Sequence, residues 1–120
     1  MAVAIKRIYE PAASADGTRI LVDRLWPRGV NKARARLACW MKDIAPSPKL
    51  RVWFGHRPER FAEFGRRYKK ELSRNPAVGE LRKLARRGRV TLLYGARDPR
   101  INHAAVLQSV LRGKSPLARS

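Results

Sequence analysis

The sequence predicts an α/β protein, a small three-layer sandwich in which a mainly parallel sheet of few strands is flanked by helices. Short β-branched and apolar runs alternate with segments whose apolar residues recur at helical spacing. A length of 120 residues and an apolar content of 44% suit one compact core. We therefore expect a single α/β domain over residues 1–113, followed by a basic, flexible tail over residues 114–120.

Three strands are predicted from the apolar runs. The first, from Val3 to Tyr9, contains Lys6-Arg7 and therefore suits a sheet edge. The second, from Arg19 to Arg24, has a continuous apolar centre, which is typical of burial on both faces. The third covers residues 90–94. Only about nine residues join the first two strands, fewer than a usual parallel crossover needs, so an antiparallel pairing of these two strands stays open.

Helical spacing predicts helices in the first half of the remaining chain. Asn31 is expected to cap one helix, and the prolines within residues 45–48 to end it. A short helical piece is expected over residues 49–54. Pro58 suits the first turn of the next helix. The apolar stripes of the two longer helices are Leu37, Trp40, Met41 and Ile44 in one, and Phe61, Phe64, Tyr68 and Leu72 in the other.

Two more helices are predicted in the second half. Asn75-Pro76 resembles a cap followed by a first-turn proline, and Gly88 resembles a left-handed stop. Asp98-Pro99 is expected to begin the last helix in the same way, with Gly113 at its end. The apolar faces of these helices are Val78, Leu81, Leu84 and Ala85, then Val106, Leu107, Val110 and Leu111.

Two polar segments follow predicted strands, residues 23–29 and residues 94–103. Ligands of open parallel sheets bind beyond the carboxyl ends of the strands. Free N–H groups at a helix start favour an anion, and arginines can grip it in a fork. We therefore predict a pocket for a small anion or phosphate-containing ligand. Its ligand-binding residues would be Arg24, Trp26, Arg28, Tyr94, Arg97 and Asp98, and its candidate catalytic residues Asp23 and His103.

Each of these side chains also has a structural interpretation. Asp98 before Pro99 suits a helix cap, and Asp23 with Arg24 suits an ion pair. Trp26 suits a plug at the edge of the core, and His103 a packed surface histidine. Whether the protein is an enzyme stays open. Hydrolysis or transfer on a phosphate-containing small molecule is the reaction that such a pocket suits best.

The charge suggests an alternative function. Twenty-eight Lys and Arg against nine Asp and Glu give a formal net charge of +19, which favours polyanions. The alternative is a basic nucleic-acid-binding protein without catalysis. Its contact residues would be Trp53, Phe54, His56, Arg66, Arg67, Lys69 and Lys70. The same aromatic residues also suit closure of the core, and the same cations suit a solvated surface.

Several kinds of chemistry lack their sequence signatures. There is no Walker loop, dinucleotide glycine fingerprint or GxSxG motif, and two histidines with one cysteine are too few for a zinc site. We therefore expect no cofactor and no metal. No apolar run is long enough to span a bilayer, and Cys39 fits a reducing compartment. We expect a cytoplasmic protein without membrane insertion; the sequence does not define its oligomeric state.

Three long stretches occur in a fixed order along the chain. They read IKRIYEPAASADGTRILVDRLWPRG, IAPSPKLRVWFGHRPERFAEFGRRY and VTLLYGARDPRINHAAVL. Together they resemble the YeaO-like branch of domain-of-unknown-function family 488, from about residue 4 to about residue 111. The resemblance implies an intracellular prokaryotic α/β sandwich without an established biochemical activity.

The resemblance also bears on catalysis. In the wider family a strand ends in a cysteine, and a Cys-His-Arg stretch opens the last helix. Here the strand ends in Tyr94, and the helix opening reads Asn102-His103-Ala104, so only the histidine matches. Asp23 and Arg24 match the family after the second strand. A thiol-based activity of relatives is therefore not implied for this chain, and the resemblance does not predict its strong positive charge.

Overall fold

The sheet is parallel throughout in the computed structural model, which describes residues 2–113. Its strands are β1 (Val3–Arg7), β2 (Thr18–Leu21), β3 (Cys39–Trp40) and β4 (Val90–Tyr94), in the order β1-β4-β2-β3. β1 is an edge strand, as predicted. The antiparallel alternative for β1 and β2 is wrong, because β4 lies between them and is parallel to both. The predicted basic tail, residues 114–120, lies outside the described residues.

Helices cover the sheet. They are α1 (Lys32–Ala35), α2 (Pro48–Phe54), α3 (Phe61–Leu72), α4 (Ala77–Arg87) and α5 (His103–Leu111). Short 3-10 turns occupy Ser14–Asp16, Lys42–Ile44 and Pro58–Arg60. Within residues 2–113, no helix combines the length and the apolar character that a membrane span requires.

The strands alternate between two cores of unequal size. Ile20 and Leu92 point into the larger core, which is shared with α2, α3, α4 and α5. Leu21 and Leu93 point to the opposite face, where Ala35 of α1 and neighbouring loop residues form the smaller core. This alternation follows from the period of two residues in a strand. The predicted α/β class is confirmed, with one thick helical layer and one thin layer of α1 and loops.

A buried charge network holds the short β1–β2 connection on the thin side. Asp16 lies 3.1 Å from Lys6 Nζ and 2.6 Å from Arg19 Nη1. Arg19 also donates to the carbonyl of Ala35, and Thr91 donates to the carbonyl of Asp16. Burial by itself raises the pKa of Asp16, but hydrogen bonds from the Ala13 N–H, Lys6 and Arg19 bring it below its usual value. The carboxylate is therefore held in its charged form.

The predicted helix from Asn31 to Ile44 is wrong beyond its first turn. Asn31 does cap α1 by accepting from the N–H of Arg34, but α1 ends at Ala35 because Arg36 adopts a left-handed conformation with φ of 48°. After two further residues, Cys39 and Trp40 form β3. Cys39 packs against the larger core and Trp40 against the smaller one, so the period at this point is that of a strand.

The end of α4 and the start of α5 also differ from the sequence prediction. Gly88 follows α4 as predicted, but its φ of 166° is extended rather than left-handed. The last helix begins at His103, because the side chain of Asn102 accepts from the N–H of Ala105. Asp98 caps an earlier turn by accepting from the N–H groups of Arg100 and Ile101.

Candidate functional site

A cavity of about 270 Å³ lies at the carboxyl edge of the sheet. Segments that follow all four strands line it, and so do residues from α2, α3 and α5. We call it the carboxyl-edge cavity. Its polar lining residues are Tyr9, Asp23, Arg24, Arg51, His56 and His103; its other lining residues are Leu25, Pro27, Ala45, Pro46, Phe64, Gly95 and Ala96. The predicted convergence of the segments after β2 and β4 is thus present.

Asp23 connects these two segments. Its Oδ2 accepts a hydrogen bond of 2.9 Å from the N–H of Gly95, and its backbone carbonyl accepts one of 2.7 Å from Trp40 Nε1. No ion pair joins Asp23 to Arg24 among the described residues. Asp23 therefore lines the cavity and also links the segments that follow β2 and β4.

His103 lies against the same carboxylate. Its Nε2 is 3.1 Å from Asp23 Oδ1 and 3.0 Å from the carbonyl oxygen of Val22. A carbonyl oxygen can only accept, so Nε2 carries the hydrogen and donates it to Val22. Asp23 Oδ1 is consequently close to Nε2 but makes no aligned hydrogen bond among the described residues. The histidine at the start of α5 and the aspartate after β2 are brought together, as the sequence suggested.

Arg24 is held by the segment after β3. Its guanidinium donates to the carbonyls of Ala45 and Pro46 at 3.3 Å and 3.4 Å, both long contacts. Its Nε is buried and has no hydrogen-bond partner within residues 2–113. Arg24 thus reaches the cavity with hydrogen-bonding capacity that the protein leaves unused.

The turn after α2 supplies a second histidine. Gly55 and His56 both have positive φ, 53° and 58°, which ends α2 and directs the chain past the cavity. This region is unfavourable for a residue with a Cβ, by about 1–2 kcal/mol. His56 was predicted as a nucleic-acid contact, but the structure places it on the wall of the carboxyl-edge cavity together with Arg51.

Trp26 does not line the cavity. Its ring packs edge-on against Trp40, with ring centroids 5.3 Å apart, and its Nε1 donates to the carbonyl of Val30. Both tryptophans belong to the smaller core. Trp26 therefore occupies the position that its structural interpretation gave it, at the edge of the core.

The other predicted ligand-binding residues also lie outside the cavity. Tyr94 is buried in the larger core, and burial, followed by the nearby Glu10 carboxylate, raises its pKa. Arg28 and Arg97 are exposed. Asp98 is exposed, and the two N–H groups that it accepts from lower its pKa. Of the predicted anion pocket, the structure brings together Asp23, Arg24 and His103.

The predicted nucleic-acid residues are divided between core and surface. Phe54 is 5% exposed and stacks on Phe64 with ring centroids 4.2 Å apart, so it offers no face to a base. The ring of Trp53 is covered by the guanidinium groups of Arg60 and Arg67, at 5.1 Å and 4.3 Å.

The basic residues of α3 are partly neutralised. Glu63 accepts from Arg66 and Arg67 on its own helix, and these bonds lower its pKa. Lys69 and Lys70 are exposed. Phe54 of α2 is therefore buried, and two of the four predicted basic residues of α3 are paired with Glu63.

Sequence reasoning missed three polar lining residues: Tyr9, Arg51 and His56. Tyr9 follows β1, and the principle that places ligands at strand ends could have found it. Arg51 and His56 reach the cavity through the packing of α2, for which the sequence carries no local signal.

A second, larger depression of about 760 Å³ lies along residues 8–12 and 29–36. Apart from Tyr9, it shares no lining residue with the carboxyl-edge cavity, and it contains none of the predicted site residues. Within residues 2–113, no three His, Cys, Asp or Glu side chains cluster in a way that could hold a metal ion. The carboxyl-edge cavity is therefore the better candidate site.

Comparisons with known proteins agree on one family. A family model described as "Inactive DUF488-N3 subclade" matches residues 2–118. The "Uncharacterized protein Rv3073c" of Mycobacterium tuberculosis (strain H37Rv) is 47% identical over 112 residues, covering 93% of this chain and 95% of that protein. The "Uncharacterized protein YeaO" of Escherichia coli (strain K12) is 43% identical over 113 residues, covering 93% of this chain and 98% of that protein. No solved structure gives a significant match.

Proposed function

This chain belongs to the YeaO-like branch of domain-of-unknown-function family 488, and we propose that it binds a small anion in the carboxyl-edge cavity without converting it chemically. The ligand class that fits best is a phosphate or a small phosphate-containing molecule. We place this binding in the cytoplasm, where the free thiol of Cys39 stays reduced.

The observation that carries the proposal is the group of cationic and imidazole side chains around one cavity. Arg24, Arg51, His56 and His103 line it, against a single carboxylate from Asp23. Arginine binds phosphate through paired hydrogen bonds, and Arg24 Nε has no protein partner among the described residues. An anion oxygen would satisfy that donor once a small movement of the Arg24 side chain exposed it to the cavity.

The size of the cavity favours a small ligand. A volume of about 270 Å³ equals that of about nine water molecules at about 30 Å³ each. Pockets for drug-sized ligands begin near about 300 Å³. Leu25, Pro27 and Phe64 supply an apolar part of the wall, which suits a phosphate with a compact organic substituent.

Binding without turnover is favoured over hydrolysis or group transfer. Asp23 is engaged by the Gly95 N–H, and His103 Nε2 donates to the Val22 carbonyl, so each is held in a structural bond. The matched family description also contains the word "inactive". In this proposal Asp23 and His103 position the cavity walls.

The test is a thermal-shift titration with inorganic phosphate, sulfate and mononucleotides at constant ionic strength. A ligand that binds the native state raises Tm by mass action. We expect a rise with phosphate or a phosphorylated compound, and about tenfold weaker binding in Arg24→Gln and in Arg51→Gln. The matched control is Arg100→Gln, which removes an exposed cation that does not line the cavity.

Three results would overturn the proposal, the third by showing catalysis. One is the absence of any Tm rise with all three classes of anion at millimolar concentration. Another is an equal loss of binding in Arg100→Gln, which would assign the effect to net charge. Product formation from a mononucleotide, abolished in His103→Gln, would replace binding by catalysis.

A further inference from the structure

We propose that a second surface, near the amino edge of the sheet and opposite the carboxyl-edge cavity, binds the sugar-phosphate backbone of duplex nucleic acid. The surface consists of Lys83, Arg86 and Arg87 on α4 together with Arg89, and we call it the α4 basic face. All four side chains belong to exposed residues. The inference is independent of the proposed function.

Seven of the nine Asp and Glu carboxylates of the protein are engaged elsewhere. None of the four cations lies within ion-pair distance of a carboxylate among residues 2–113. Acidic residues with hydrogen bonds or ion pairs in other parts of the fold are Glu10, Asp16, Asp23, Glu59, Glu63, Glu71 and Asp98. Glu80, the acid of α4, lies in its first turn. The α4 basic face is therefore an unpaired cluster of positive charge, in contrast to α3, where Glu63 neutralises its neighbours.

The geometry of α4 suits contact with phosphates. Its apolar residues Val78, Leu81 and Ala85 are buried in the larger core, so the cations are fixed on the opposite side of the helix. Lys83 and Arg87 are four residues apart and therefore about 6 Å apart along the helix axis, at a rise of about 1.5 Å per residue. Successive phosphates along a strand rise by about 3.4 Å. A short helical row of cations can thus contact several phosphates at once.

The surface fits backbone contact rather than base stacking. Among the described residues, the exposed large apolar side chains are Tyr9, Leu25 and Val52, and none lies on α4. Proteins that bind single strands without sequence preference use aromatic side chains on which bases stack. Without such a platform, the dense charge of a duplex is the favoured partner, and no sequence preference is expected.

The α4 basic face and the cavity lie toward opposite edges of the sheet. Arg89 precedes β4, so it lies at the amino edge, whereas Gly95 follows β4 at the carboxyl edge. Cations in the last turn of a helix also stabilise its C-terminus. That structural role changes stability and leaves affinity for DNA unaltered, so an affinity measurement distinguishes it from the proposed role.

The experiment measures fluorescence anisotropy of a labelled duplex DNA with the full-length protein, from about 50 mM to about 200 mM salt. We expect binding that weakens steeply with salt. In Lys83→Gln/Arg86→Gln/Arg87→Gln, the slope of log affinity against log salt should become shallower by about 2.7, about 0.9 for each lost phosphate contact. Binding at low salt should weaken by at least about tenfold.

The control is Lys32→Gln/Arg34→Gln/Lys49→Gln, which removes the same charge from exposed residues elsewhere and should retain most of the affinity. The charge-conserving variant Lys83→Arg/Arg86→Lys/Arg87→Lys should also bind. Equal loss in both glutamine variants, or no binding at about 50 mM salt, contradicts the proposal. The proposal is also contradicted if an acidic polypeptide displaces the labelled DNA as well as unlabelled duplex DNA does. Arg24→Gln should bind DNA as the wild type does. DNA binding by α4 and anion binding in the cavity can therefore succeed or fail independently.

Discussion

The carboxylate of Asp23 accepts a hydrogen bond of 2.9 Å from the backbone N–H of Gly95, and this bond joins the segment after β2 to the segment after β4. The approach is close. A Cβ at position 95 would lie 3.0 Å from Asp23 Oδ2. A glycine therefore allows the carboxylate to reach the backbone, and the bond holds two walls of the carboxyl-edge cavity together.

Gly95→Ala should separate these walls. The added methyl group displaces the Asp23 carboxylate, and we expect the free energy of unfolding to fall by about 1.5–3 kcal/mol, as for loss of a hydrogen bond to a charged group. Phosphate binding should weaken in parallel. Urea denaturation and the thermal-shift titration measure the two effects.

Gly79→Ala is the matched control for that variant. Gly79 lies within α4, and a Cβ there meets no atom within 4 Å. Because alanine favours a helix over glycine, the free energy of unfolding should rise by about 0.5–1 kcal/mol. If Gly95→Ala were as stable as Gly79→Ala and bound phosphate normally, the Asp23–Gly95 contact would have no role in the cavity.

Asp16→Asn should destabilise the fold in a manner that depends on pH. The variant leaves Lys6 and Arg19 without their buried carboxylate, which costs on the order of 3 kcal/mol at neutral pH. The folded-state pKa of Asp16 lies below its ordinary value of 3.8. The contribution of Asp16 to the free energy of unfolding is therefore complete at pH values above its ordinary pKa. It is lost as the pH falls through the pKa of the folded state.

The measurement is denaturant unfolding of the wild type and of Asp16→Asn from neutral pH into the acid range. The difference in free energy of unfolding should be constant at neutral pH and shrink below a pH of about 4. Asp43→Asn, at an exposed residue, controls for the loss of one negative charge. A difference for Asp16→Asn that does not vary with pH would show that the carboxylate's charge is unimportant.

His56→Gly should separate stability from binding. Its φ of 58° is unfavourable for histidine, so glycine should raise the free energy of unfolding by about 1 kcal/mol. The loss of the imidazole from the cavity wall should weaken phosphate binding. Arg36→Gly is the control, because Arg36 has a φ of 48° and lies outside the cavity. Equal phosphate affinity in both variants would remove His56 from the proposed site.

Cys39 should react slowly with alkylating reagents. Burial raises the pKa of its thiol, which lowers the fraction of thiolate, the reactive form, near neutral pH. We expect iodoacetamide to modify the native protein more slowly than glutathione, and the urea-unfolded protein at about the rate of glutathione. A native rate equal to that of glutathione would contradict the prediction.

The sequence predicts those site residues that follow the carboxyl ends of strands. Asp23 and Arg24 directly follow the segment of β2, and parallel strands place their carboxyl ends at one edge, so the fold class is enough to locate them. Trp26 is farther along the same loop, where the alternation of the strand no longer determines direction, and it turned to the smaller core instead.

Other features depend on contacts between distant segments. Residues 37–44 carry apolar residues at spacings that fit a helix, but Cys39 and Trp40 gain backbone partners in β2, and this pairing decides their conformation. Asp16 resembles a solvated loop residue in the sequence, although Lys6 and Arg19 enclose it in the fold. Neither outcome is encoded in a local pattern.

The strand order also determines when the chain can fold. β4 is the shared partner of β1 and β2, and Val3 pairs with Val90. A nascent chain on the ribosome therefore carries β1 and β2 without their common neighbour until residues 90–94 have been synthesised. Because these contacts are so distant in sequence, we expect the sheet to form only after β4 has left the ribosome, and to form slowly. A chain released before residue 90 would leave two apolar strands with open edges, which makes it a substrate for chaperones and a source of aggregation.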